Sequence, residues 1–263
     1  MRRDEGGAIR VGAESAGAQP GPACYGAGGP ATVTDANLLL DRLPAELPGG
    51  LVLDRDAAAR ALDGIDPAAV IEVVNAEMLR ALRVVSVERG HDPRDFALVA
   101  FGGAGPLHAC ALAEELGIDA VLVPQAAGVL SALGLVASDE RRDRVVSYLR
   151  PLADVTHLPA EGDADLRYRG QSFELTVPLQ ADLATAFHRA HEERYGYADE
   201  SREIELVAVR TVEVVRGPEI SFQTTERLEV VGPALVALPG ATCWVPEGWR
   251  GETNDDGTLV LRR

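Results

Sequence analysis

The residues with types suited to chemistry fall in a few short stretches. FALVAFGGAGPLHACALAEELGIDAVLVP places Gly102, Gly103, Ala104 and Gly105 between an apolar run and a helical pattern, with His108 one turn further on. A turn of this kind lets backbone approach a ligand closely. Its N–H groups at a helix start suit a phosphate, or the sugar and base edge of a nucleotide. The spacing is not GxGxxG, and no acidic residue follows where a ribose would need one, so the dinucleotide fingerprint is missing. On the residues alone, a tight packing turn is the preferred reading of the same glycines. Cys24, Asp35 and His108 are of the ligand types that zinc and similar ions accept, although nothing in their spacing brings them together. A lone helical histidine is more commonly structural than ligating. Cys110, two residues after His108, points to another face and reads as core. His188 and His191 lie three apart in a helical pattern with Glu192 beside them. They could share a metal; without a third ligand, an exposed helix face is the preferred reading.

Composition removes several alternatives. Of 263 residues, 25 are basic and 41 acidic, a formal charge of −16, and every basic residue is arginine. A diffuse negative field repels nucleic acid, and the absence of lysine excludes Schiff-base, pyridoxal-phosphate, P-loop and Ser-Lys chemistry. Three scattered cysteines make no disulfide framework and no CxxC pair, which fits a cytoplasmic protein. The N-terminus has no apolar core of a signal peptide, and no apolar run approaches the roughly 18 residues of a membrane span.

The elements that must position these residues follow from pattern. GAQPGPACYGAGGPATVTDAN reads as a structured loop leading into a short helix that Asp35 could cap. Helices are expected over residues 56–62 and from Asp66-Pro67 to just before Gly90, the second with a buried stripe of Val70, Val74, Met78, Leu82 and Val85. Strands over 96–101 and 118–123 flank a helix that ends at Gly117, giving a βαβ unit and a parallel or mixed sheet. A short helix follows in GVLSALGLVASDE. Beyond Arg141 the patterning alternates with period two, predicting antiparallel strands around a helix in DLATAFHRAHEERYG, and Trp244 and Trp249 read as packing anchors. The expected division is therefore 1–150 and 151–263, an α/β part followed by a smaller β-rich α+β domain.

Taken together, RVGAESAGAQPGPACYGAGG, TVTDANLLL, RVVSVERGHDPRDFALVAFGGAGPLHACALAEELGI, RYRGQSFELTVPL, FHRAHEERYGYADE and the closing ATCWVPEGW resemble the A-type subunit of the hydantoinase/oxoprolinase family. The resemblance runs across essentially the whole chain. It implies an actin-like ATPase (ribonuclease-H-like) lobe over 1–150 and a β-rich domain over 151–263. It implies ATP with Mg²⁺ as cofactor, a B-type partner subunit, and a cyclic amide such as a hydantoin or 5-oxoproline as substrate. Gly102, Gly103, Ala104 and Gly105 correspond to the turn that approaches adenosine, while Cys24, Asp35 and His108 form the candidate polar cluster for a further divalent metal. The glycine- and aspartate-rich phosphate loops of the family are absent, so the chain looks like a C-terminal portion that works with an N-terminal half and is inactive alone. An ATP-dependent ketone carboxylase subunit and a non-catalytic assembly module are the alternatives.

Overall fold

The structure, a computed structural model, describes residues 1–3, 6–12, 14–47, 49–220 and 227–263. Two compact units result: Met1–Leu135 with Ile220–Arg263, and Val136–Glu219.

The first unit opens with two short hairpins, β1 (Arg2–Arg3) with β2 (Ile9–Arg10) and β3 (Glu46–Leu47) with β4 (Leu51–Val52). Helices α1 (Val33–Leu39), α2 (Arg55–Leu62) and α3 (Pro67–Val85) pack through Ala36, Leu62, Val70 and Ile71. Asp54 and Asp66 cap α2 and α3 with their carboxylates, and Pro67 occupies the first turn of α3. The expected βαβ unit is present. β5 (Leu98–Val99) pairs in parallel with β6 (Ala120–Val123) across α4 (Gly105–Leu116), which ends on left-handed Gly117 as its pattern predicts. The short helix α5 (Leu130–Ala137) follows.

The chain then returns to this sheet from its far end. β11 (Glu229–Val231), β14 (Arg250–Thr253) and β15 (Leu259–Arg262) complete a five-stranded order β11-β14-β15-β6-β5, with β15 antiparallel to β6. Leu259 and Leu261 of β15 join Val121 and Val123 of β6 in one fully buried layer. The hairpin β12 (Ala234–Leu238) and β13 (Ala241–Val245) adds Cys243 and Val245 to the same core. Trp249 is buried there, and its indole N–H donates to Glu114 Oε1 on α4 at 2.6 Å.

The second unit is a four-stranded antiparallel sheet of order β7-β10-β8-β9: β7 (Glu140–Pro151), β8 (Asp163–Tyr168), β9 (Leu175–Pro178) and β10 (Ile204–Val215). Helix α6 (Leu183–Tyr195) packs Leu183, Ala186 and Phe187 into its core, between an Asp182 cap and left-handed Gly196.

The units divide elsewhere than at the expected 150/151 boundary. The change to period-two patterning near Arg141 does mark a new unit, but the last 44 or so residues are not part of it, because their apolar strand faces complete the first sheet. The stripe on α3 also differs from expectation. Val70 is buried, whereas Val85 is 53% exposed, and Met78 and Leu82 line an open groove beside β5, the edge strand.

Candidate functional site

The 3-10 turn Ala23–Tyr25 and the start of α1 are tied by one carboxylate. Asp35, fully buried, accepts from Cys24 N at 2.7 Å, Thr32 N at 2.7 Å, Thr32 Oγ1 at 2.8 Å and Ala23 N at 3.3 Å. It caps α1 from the third helical position, with Thr32 as N-cap in a reciprocal capping box, and not from the N-cap position itself. Beside it, burial and the Asp35 carboxylate push the Cys24 thiol up to about 12, so it is held as a neutral S–H.

His108 sits elsewhere in this chemistry. Its Nδ1 lies 2.7 Å from Asn75 Oδ1, which makes Nδ1 the protonated nitrogen, and burial with the nearby Arg42 charge lowers its pKa to about 4. Among the described residues, no group of three or more His, Cys, Asp or Glu side chains is placed to hold a metal ion. Cys24, Asp35 and His108 therefore do not form the expected metal cluster. Asp35 spends its oxygens on backbone amides, and a protonated thiol is a poor ligand. His188 and His191 differ from both readings. His191 is fully buried between Tyr197 O at 2.8 Å and Gln171 Nε2 at 3.2 Å, and His188 Nδ1 meets Tyr168 Oη at 2.7 Å. They order an aromatic core of the second unit.

The glycine turn is built by close backbone packing on one side only. Gly102 is left-handed, with φ +80°, and donates to Ala127 O at 2.7 Å, while Gly103 O accepts from Thr242 N at 3.3 Å. A Cβ on Gly128 would collide with the Gly240 backbone at the tip of the β12–β13 hairpin, so that glycine is required by packing. At Gly103 the same addition meets only an ordinary contact with Gly240 O at 3.7 Å, and at Gly105 it meets nothing within 4 Å. Packing within this chain accounts for Gly128, but not for Gly103 or Gly105.

Gly103 and Ala104 open onto a pocket of about 410 Å³. Tyr25, Leu43, Leu47 and Leu107 give it apolar walls, Thr34 and Thr242 contribute polar groups, and no ionisable acid or base other than the Tyr25 phenol lines it. Asn37, 1% exposed, lines it too: Nδ2 donates to Val33 O at 3.1 Å, while Oδ1 has no hydrogen-bond partner. Sequence pattern marks Asn37, like Tyr25, as out of place in a linker but gives it no site role. The available signal was an asparagine in the middle of a short helix, where its side chain competes with the backbone and has no intrinsic reason to be.

The hydantoinase/oxoprolinase family model matches residues 1–144, more than half of the chain. The chain is 36% identical to caprolactamase subunit alpha of Pseudomonas jessenii, over 98% of this chain and 50% of that protein. It is 42% identical to an uncharacterized protein of Methanocaldococcus jannaschii over 82% of this chain and 38% of that one, and 31% identical to 5-oxoprolinase 1 of Arabidopsis thaliana over 78% and 21%. Among solved structures, the ATP-dependent caprolactamase of Pseudomonas jessenii superposes with a TM-score of 0.60 at 29% identity, over 98% of this chain and 50% of that one. Acetone carboxylase in its nucleotide-free form superposes with a TM-score of 0.75 at 22% identity, a likeness of fold. The chain thus spans half or less of the length of these relatives. On these matches, the chain belongs to the hydantoinase/oxoprolinase family.

Proposed function

We propose that this chain is part of an ATP-dependent enzyme that opens cyclic amides, and that it supplies the wall of the ATP site facing the uncharged, nucleoside end. The observation that carries this reading is the uncharged pocket beside Gly103 and Ala104, where Gly103 is not explained by packing. Its volume falls within the range of small-molecule sites, and its apolar walls with a few convergent polar groups suit a base and sugar. A triphosphate does not fit there. With no arginine and no carboxylate among the lining residues, the pocket neither neutralises phosphate charge nor holds Mg²⁺. Those tasks belong to groups outside it, in agreement with phosphate loops on an N-terminal half.

Phosphoryl transfer from ATP to the amide oxygen would activate the carbonyl carbon toward water; the bond that then breaks to open the ring is C–N, the amine leaving with a proton, and a second water releases phosphate as the carboxylate forms. What this chain contributes is positioning, the larger part of phosphoryl-transfer catalysis. Gly102 directs the turn, Thr242 N–H and the Gly128–Gly240 contact hold it, and the Asp35 clasp fixes Tyr25 and α1 on the facing wall. Identity to the caprolactamase subunit favours a lactam over a ketone as the second substrate. A B-type subunit is the proposed partner. The cytoplasm is the proposed location, supported by three buried free thiols.

The test is ATP consumption coupled to ring opening of caprolactam, hydantoin and 5-oxoproline by the assembled enzyme carrying this chain. Ala104→Trp, which fills the pocket, should raise KM for ATP at least tenfold with little change in KM for the lactam. Ring opening without ATP, or an unchanged KM for ATP, would reject the proposal.

A further inference from the structure

The polar contents of the pocket are unequal. A buried side-chain oxygen without a partner is costly and uncommon, and Asn37 Oδ1 is one of two such atoms among the described residues. Its orientation is not free. Exchanging the amide's ends would set Oδ1 against Val33 O, so the bond from Nδ2 to that carbonyl keeps the oxygen as the unpaired end. The unpaired end of the amide is therefore an acceptor, with one Nδ2–H already committed to Val33 O. The same pocket has apolar walls of Val33, Leu43, Leu47 and Leu107, which suit a flat ring, with Thr34 and Thr242 as further polar groups.

We propose that Asn37 is a specificity-determining residue whose Oδ1 accepts a hydrogen bond from the exocyclic amine of an adenine base seated in this pocket. The proposal rests on the nucleoside reading of the site and adds which residue reads the base and how. A 6-amino group completes the carbonyl's bonding. A 6-oxo group would set two acceptors face to face, and a hydrogen at that position would leave Oδ1 unpaired. Sites built to bond a donor reject analogues that lack it far more strongly than apolar pockets reject a change in size.

The experiment is a nucleoside series against the chain, read by ligand-detected NMR and by the shifts of the Asn37 side-chain amide. Adenosine should bind about 10- to 100-fold more tightly than inosine or purine riboside, the range that follows from stranding a buried acceptor. Asn37→Leu should erase that preference, leaving purine riboside bound as well as adenosine. The wild-type series stands even if the variant folds poorly. Equal binding of adenosine, inosine and purine riboside would overturn the role of Asn37 and leave the nucleoside site standing. No nucleoside binding, or shifts of Asn37 produced by caprolactam instead, would overturn the nucleoside reading and this inference with it.

Discussion

Replacing Asp35 by alanine separates a structural clasp from a metal ligand. The carboxylate accepts from three backbone amides and one hydroxyl, but their dependence on it differs. Ala23 N also reaches Pro30 O at 3.1 Å, and the Thr32 hydroxyl can rotate, so the groups stranded are Cys24 N and Thr32 N, both at 2.7 Å from Asp35. A stranded amide costs about 1–3 kcal/mol, so the variant should lose roughly 3–4 kcal/mol, a large fraction of an ordinary domain's stability. Asp35→Asn keeps one acceptor and should lose about half as much. Urea unfolding followed by tryptophan fluorescence suits the measurement, because Trp244 and Trp249 both lie in the first unit and the second carries no tryptophan. A midpoint for Asp35→Ala within the equivalent of ~0.5 kcal/mol of wild type would refute the clasp. Loss of a stoichiometric metal from that variant would reinstate the carboxylate as a ligand.

Two glycines should respond in opposite ways. Gly128→Ala drives a Cβ into the Gly240 backbone and should destabilise the first unit by about 2–3 kcal/mol in the same fluorescence assay. Gly103→Ala meets only van der Waals contact and should leave stability within about 0.5 kcal/mol while weakening adenosine binding measured by calorimetry. His108 gives a pH dependence. Its folded pKa of about 4 lies below the ordinary 6.5, so its contribution is fully present above pH 6.5 and is lost as pH falls toward 4. The span corresponds to about 3 kcal/mol, and His108→Gln should flatten the fall in stability across that window in urea titrations at successive pH values.

Local chemistry was legible where one residue decides it. Asp66-Pro67 starts α3, Gly117 and Gly196 end α4 and α6, and the glycine turn between two apolar runs marks the parallel crossover. What depends on distant partners was not. The pairing of β15 with β6 joins residues about 140 apart, and nothing local in LVLR distinguishes an added central-sheet strand from a separate β-rich piece. The metal reading failed for a related reason. Residue types name what Cys24, Asp35 and His108 could bind, but only the backbone shows that the Asp35 oxygens are already taken and that His108 bonds Asn75. His191 has the look of an exposed helix position because Glu192 and Glu193 follow it, yet the ring is enclosed by Tyr168, Phe187 and Tyr197. Even the glycines of the turn were ambiguous one by one, since the difference between Gly128 and Gly103 lies in what a Cβ would touch.

Photoaffinity labelling of the assembled enzyme with 8-azido-ATP, mapped by peptide mass spectrometry, reads directly where the nucleoside end of ATP rests. Labelling that excess ATP suppresses, confined to peptides containing Tyr25 to Leu47, Gly103 to Leu107 or Gly240 to Thr242, is the predicted result. ATP-suppressible labelling that leaves all three segments untouched would contradict it.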